Sequence, residues 1–153
     1  MLESDYPYTS GDMGDGSNNC LYSASKTTNV EVYDFHSNIH EEGHVVDQMK
    51  ANVRRQPLAG ALAVNNKYIH SYKSGIVEAR YCGIDKYDSL NHAVLIVGYG
   101  TDEATGFEYW LIKNSWGTTW GDKGYLKLKI ERGFQSEIGA CGIQLFYTYP
   151  ILA

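Results

Sequence analysis

Apolar residues in this chain follow two rhythms. Val45, Val46, Met49 and Val53 recur at separations that put side chains on one side of a helix. The pattern predicts a helix over about 41–55, with Glu41 and Glu42 as an acidic first turn and Pro57 closing the far end. Elsewhere the rhythm is that of strands. Val30, Val32 and Tyr33 alternate with polar positions within 28–35, and 58–64 is a short apolar stretch of small residues. Residues 93–97, Ala-Val-Leu-Ile-Val, form an uninterrupted apolar run, as in a strand covered on both faces, and 109–113 form a second strand. In 125–130, Leu126, Leu128 and Ile130 fall on one face and Lys127 and Lys129 on the other. That is the pattern of a half-buried strand with its lysines in water. The stretch through Cys20 reads as an extended loop, and 68–77 is mixed. One main helix among short strands and glycine-rich turns predicts an α+β fold, a mostly antiparallel, β-barrel-like domain.

The strands at 93–97 and 109–113 are joined by a polar stretch with Gly100 and Gly106 at its ends, the pattern of a hairpin. If the loop is centred on Glu103, antiparallel pairing opposes His92 to Asn114. Opposed Cβ atoms lie about 4.5–5.5 Å apart, within reach of an amide–imidazole hydrogen bond. A slip of one residue would turn the two to opposite faces.

A histidine oriented by an asparagine suits one kind of chemistry. The amide oxygen accepts from one ring N–H and fixes the tautomer, while the other nitrogen exchanges a proton with a nucleophile. Because Asn adds no negative charge, it suits a thiolate–imidazolium pair better than a serine triad, where a carboxylate stabilises the charged ring. A capped core histidine at a strand end is the structural alternative. Beyond Asn114, Trp116-Gly117 and Trp120-Gly121 supply two indoles with glycines that allow tight turns around them. An indole over the His–Asn bond would exclude water and strengthen it. A tryptophan-rich turn capping the core is the plainer reading of the same residues.

Composition narrows the partners. At 153 residues the chain fits one domain with a modest core, and no apolar run approaches the ~20 residues needed to cross a membrane. A net charge of −5 with basic residues clustered only at Arg54-Arg55 argues against nucleic acid. The first residues have neither the basic start nor the apolar stretch of a targeting signal. Cys20, Cys82 and Cys141 make an odd count, open to one disulfide with a leftover thiol or to three reduced thiols. No two share a CxxC spacing, so zinc is not expected. His36, His40 and His44 are spaced four apart, but Gly43 and the preceding strand interrupt any helix that would align them as metal ligands. No metal or other cofactor is expected, and no N-glycosylation sequon occurs.

Several segments together resemble the papain family of cysteine peptidases, which includes the cathepsins. They are Asn91-His92-Ala93-Val94, Val97-Gly98-Tyr99-Gly100, Tyr109 through Gly117, Trp120-Gly121, Gly124-Tyr125 and Cys141-Gly142-Ile143, with Tyr6-Pro7-Tyr8 and Pro57 in the same order. The resemblance implies that His92 is the catalytic acid and base, that Asn114 orients it, and that Trp116 and Trp120 shield the site. It implies a Cys82–Cys141 disulfide, and a Cys20 that in the family bonds to the other half of the enzyme. Ala61, Leu90 and Ala93 resemble the walls of the pocket for the second residue before the cleaved bond. Phe146 resembles its floor, where a phenylalanine favours small or medium aliphatic side chains.

The family nucleophile sits in a C-G-[SA]-C-[WY] segment, with His and Asn roughly 130–150 residues downstream. Only 91 residues precede His92, and none forms that segment. The expectation is therefore that 1–153 is a single domain, the right-hand, C-terminal half of a papain-like peptidase. The N-terminal half with the nucleophilic cysteine is absent from it and is its implied partner. The resemblance implies peptide or protein substrates and a lysosomal, vacuolar or secreted setting. The chain alone is expected to be inactive; a non-catalytic pseudo-peptidase or binding domain of the same fold is the rival class.

Overall fold

The structure is a computed structural model that describes residues 4, 23–27, 30–38, 44–64, 67–82, 90–132 and 138–153. Tyr6-Pro7-Tyr8, Cys20, His40 and the predicted helix start at Glu41-Glu42 lie outside the described residues. Two compact units are present, Met1–Tyr33 with Leu152–Ala153, and Asp34–Ile151. In the first, Ala24–Lys26 form a 3-10 turn closed by the Thr27 hydroxyl, which donates to the Ala24 carbonyl at 2.8 Å. The second unit contains every described residue of the predicted site.

Seven strands make one sheet: β1 (Val32–Ser37), β2 (Leu58–Leu62), β3 (Ile76–Val77), β4 (His92–Thr101), β5 (Glu108–Lys113), β6 (Tyr125–Lys129) and β7 (Tyr147–Leu152). Their order is β1-β7-β2-β4-β5-β6-β3. The pairings β2–β4, β2–β7, β4–β5 and β5–β6 are antiparallel, whereas β3 pairs with β6 in parallel. The main helix, α1 (Val45–Val53), buries Val45, Val46, Met49 and Val53, the stripe that the spacing predicts. A second, four-residue helix, α2 (Lys67–His70), lies in the region whose pattern is mixed.

The core gathers Met49 from α1, Leu58 and Leu62 from β2, Ile96 from β4, Trp110 and Ile112 from β5, and Leu126 and Leu128 from β6. Trp110 cannot be buried with its N–H unpaired at low cost. Gln144, itself only 1% exposed, accepts that N–H at 3.3 Å and clasps the backbone of Glu131 with both ends of its amide. The predicted split of β6 holds for its leucines, but its lysines are half-buried rather than free in water. Lys127 lies 4.7 Å from the centre of the Tyr109 ring, Lys129 lies 4.2 Å from that of Phe107, and Lys129 also pairs with Glu78 at 3.3 Å. Long aliphatic stems cover the aromatic neighbours while the ammonium groups stay at the rim.

Glu108, at the start of β5, ties the sheet to α1. It accepts from Lys50 and, at 3.1 Å, from Arg132. The Lys50 hydrogen bond, followed by that of Arg132, holds its carboxyl below the usual range. A carboxylate whose folded pKa is depressed adds stability above its unfolded value, near 4.3, and loses it as pH falls through the folded one. Glu108→Gln should therefore melt below the parent at pH 7, with the gap closing as pH falls beneath the ordinary glutamate range. The effect is small, because the side chain is 36% exposed and screened by solvent. A gap that persists unchanged in acid would contradict the assignment.

Candidate active site

β4 begins at His92 and β5 ends at Lys113, one residue before Asn114, so the hairpin delivers both polar side chains to its open end. At the other end, Asp102 Oδ1 accepts the Thr105 N–H at 3.0 Å and its hydroxyl at 2.9 Å, closing the turn. The register corrects the one expected of a loop centred on Glu103. Pairing runs from Thr101↔Glu108 to Gly98↔Leu111, then shifts at Val97 to Ile96↔Ile112 and Leu95↔Lys113. One further step on that ladder sets Asn114 against Val94, not against His92. The two are diagonal neighbours, and an offset of two residues keeps them on one face.

Val97 preserves that parity. Had the pairing continued unshifted from Gly98↔Leu111, Asn114 would have come opposite Leu95 and turned away from His92. The one extra residue of the bulge restores the shared face.

His92 Nε2 lies 2.8 Å from Asn114 Oδ1. The same oxygen accepts the Ser115 backbone N–H at 2.8 Å. A backbone N–H can only donate, so the network assigns this atom as the amide oxygen and requires Nε2 to carry the ring proton. Nδ1 is then the nitrogen with a free lone pair. The Asn114 N–H donates to the Gly124 carbonyl at 3.0 Å, tying the residue to the turn that leads into β6.

The two indoles gather at this pair. Trp116 lies against His92 with ring centres 4.9 Å apart and planes tilted by 39°. Trp120 meets Trp116 edge-on at 5.0 Å and is buried. Gly121 follows it at φ +59°, and a Cβ there would come within 2.6 Å of the Tyr125 carbonyl oxygen, so only glycine fits the turn. His70, at the end of α2, also stacks on Trp116. Its place in the sequence carries no signal for this, because α2 reaches the site only through the tertiary fold.

The predicted pocket residues divide between two places. Ala61 and Ala93 are direct cross-strand partners, and Leu90 is half-buried two residues before β4. Phe146 lines an apolar groove of about 450 Å³ with Phe35, Ser37, Ala59, Thr148, Tyr149 and Pro150. Ala59 connects the two regions, since it lies on the same face of β2 as Ala61. Phe35 is 69% exposed, so the groove has an apolar rim.

A disulfide joins Cys82 to Cys141 across 59 residues of sequence. His36 lies on β1, its ring 4.9 Å from that of Tyr149 and tilted by 31°, whereas His44 caps the start of α1, so these two do not share a helix face. Among the described residues no group of three or more His, Cys, Asp or Glu could hold a metal ion.

Residues 1–151 match the family model described as papain family cysteine protease. The chain belongs to the papain family. Curated relatives include thiol protease aleurain of Arabidopsis thaliana, 38% identical over 99% of this chain and 37% of its own length. Probable cysteine protease RDL2 of the same plant is 36% identical over 97% of this chain and 37% of its length. Cathepsin L of Sarcophaga peregrina is 34% identical over 97% of this chain and 39% of its length. Among solved structures, the bromelain protease from Ananas comosus in complex with the E64 inhibitor superposes with a TM-score of 0.73 at 29% identity, covering 99% of this chain and 62% of that one. This papain-family chain thus spans well under half the length of the curated relatives it matches. Among its described residues no helix is long and apolar enough to cross a membrane.

Proposed function

We propose that this papain-family chain supplies the histidine base and its orienting amide to a cysteine peptidase whose nucleophile comes from an N-terminal half outside these residues. The observation that carries the reading is the 2.8 Å contact between His92 Nε2 and Asn114 Oδ1, which leaves Nδ1 as the proton acceptor. A cysteine thiol brought to Nδ1 gives up its proton to the ring, and a thiolate beside an imidazolium is the attacking species. The thiolate adds to the peptide carbonyl, and the imidazolium then returns the proton to the departing amine. In the second half of the cycle the same nitrogen takes a proton from water, which releases the acyl group. Asn114 keeps the ring in one tautomer throughout, and Trp116 with Trp120 keeps water from competing for that hydrogen bond.

Peptides and proteins are the proposed substrates, and a lysosomal, vacuolar or extracellular setting is the proposed site of action. The Cys82–Cys141 disulfide favours such oxidising surroundings. The covering partner of the Phe35 rim is the proposed N-terminal half. The deciding experiment compares this chain alone with the chain co-expressed with a half that carries the C-G-[SA]-C-[WY] segment, on a fluorogenic dipeptide. Turnover only in the combined form supports the reading. Turnover by the chain alone, blocked by a thiol reagent and lost in Cys20→Ala, would refute it. No turnover in a correctly assembled pair would favour the pseudo-peptidase class.

Ala61, Leu90 and Ala93 are proposed as walls and Phe146 as the floor of the pocket for the second residue before the cleaved bond. A phenylalanine floor leaves little depth and offers no partner to a guanidinium. The complete enzyme should prefer small or medium aliphatic side chains there. Phe146→Ala should shift the ratio of kcat/KM toward larger side chains by roughly tenfold or more, in line with the 1–3 kcal/mol per methylene of an apolar pocket. A parent enzyme that prefers Arg at that position would contradict the assignment.

A further inference from the structure

Trp116 carries two histidines. His92 meets the indole tilted by 39°, whereas His70 lies parallel to it, with ring centres 4.9 Å apart and planes within 4°. His70 is exposed, so burial alone does not hold its ring there. The position is set by the backbone behind it. α2 is a single turn whose last carbonyls look beyond the helix for donors, and that of Ile69 accepts the Tyr72 N–H at 3.2 Å. The Trp120 indole N–H supplies another, donating to the carbonyls of Ile69 at 3.2 Å and His70 at 3.1 Å. Ile69, only 1% exposed, anchors the same turn in the core. Trp120 therefore fixes the end of α2, α2 presents His70, and His70 faces the indole that lies on His92. His70, Trp116 and Trp120 form one closed set of contacts, and His92 joins it through Trp116.

The geometry points to His70 as a positioning residue: its ring holds Trp116 in place against His92 and so protects the His92–Asn114 hydrogen bond from water. A half-buried indole at a rim has other rotamers open to it, and a parallel ring on its face selects one. A stacked aromatic pair contributes about 0.5–1.5 kcal/mol beyond burial, enough to change the population of an open rotamer about two- to tenfold. The structural part of the inference stands on this chain alone; its consequence for turnover rests on the peptidase reading above.

The test reads the exchange with water of the His92 Nε2 proton, by NMR on the 153-residue chain. His70→Ala should speed that exchange about two- to tenfold. His70→Phe, which keeps a flat ring but no ring nitrogen, should restore the parent rate. Unchanged exchange in His70→Ala would overturn the proposal, as would a His70→Phe chain that exchanges as fast as the alanine variant. Because no nucleophile is needed, the result is independent of whether the assembled protein cleaves peptides. In the complete enzyme the same loss should fall on kcat, with KM unchanged and kcat restored by phenylalanine; a change confined to KM would overturn the positioning role.

Discussion

His92→Ala in the complete enzyme should lower kcat/KM by on the order of a thousandfold or more, with little change in the fold. Two contributions vanish together. The cysteine loses the base that makes it a thiolate, and the leaving amine loses its proton donor; general acid–base catalysis alone is worth about 10²–10⁴. The fold should tolerate the change because His92 is half-buried at the first position of β4, and its side chain contacts the site rather than the core. Its backbone pairing with Leu62 does not depend on the imidazole. The measurement is kcat/KM on a fluorogenic peptide beside a thermal melt. Activity within about tenfold of the parent, well short of a general-base loss, would remove His92 from the mechanism.

Replacing Cys82 and Cys141 together by serine should cost about 4 kcal/mol of stability, the chain-entropy estimate for a closed loop of 59 residues. The effect should reach the site. Cys141 takes a left-handed backbone conformation at φ +55°, unusual for any residue but glycine, and its carbonyl accepts the Ala63 N–H at 2.9 Å. Ala63 follows Leu62, the strand partner of His92, so the disulfide braces the end of β2 beside the His92–Asn114 pair. Denaturant unfolding should show a lower midpoint and a steeper slope, because the unbridged unfolded chain is more expanded and exposes more surface. Both sulfurs are buried, so the parent should resist mild reductant until it opens. An unchanged midpoint would show that the bridge constrains neither state.

The strands and the main helix were legible because their apolar residues keep strict periods. The stripe from Val45 to Val53 can be nothing but one buried face of a helix, and Leu126, Leu128 and Ile130 one buried face of a strand. Three elements escaped, and β3, at two residues, is too short to show an alternation. β7 holds Pro150 and two tyrosines, and its place between β1 and β2 depends on distant partners. α2 is four residues long, too short to show a period. The His92–Asn114 pair was legible in kind but not in register. Symmetry about Glu103 brings together two residues that do touch, while the actual turn and the bulge at Val97 arrange them diagonally. A bulge leaves no mark in an apolar run such as Val94–Ile96–Val97, since every residue there is suited to either face. Contacts that close only in three dimensions, such as His70 on Trp116, had no linear signature at all.

The central claim is that Asn114 acts through His92. Its most direct test is a double-mutant cycle in the complete enzyme, measuring kcat/KM for His92→Ala, Asn114→Ala and the pair. If the amide serves only to hold the ring, the double variant should match His92→Ala to within about twofold, because nothing remains for Asn114 to orient. Losses that multiply in full would show the two side chains working independently and would contradict the account.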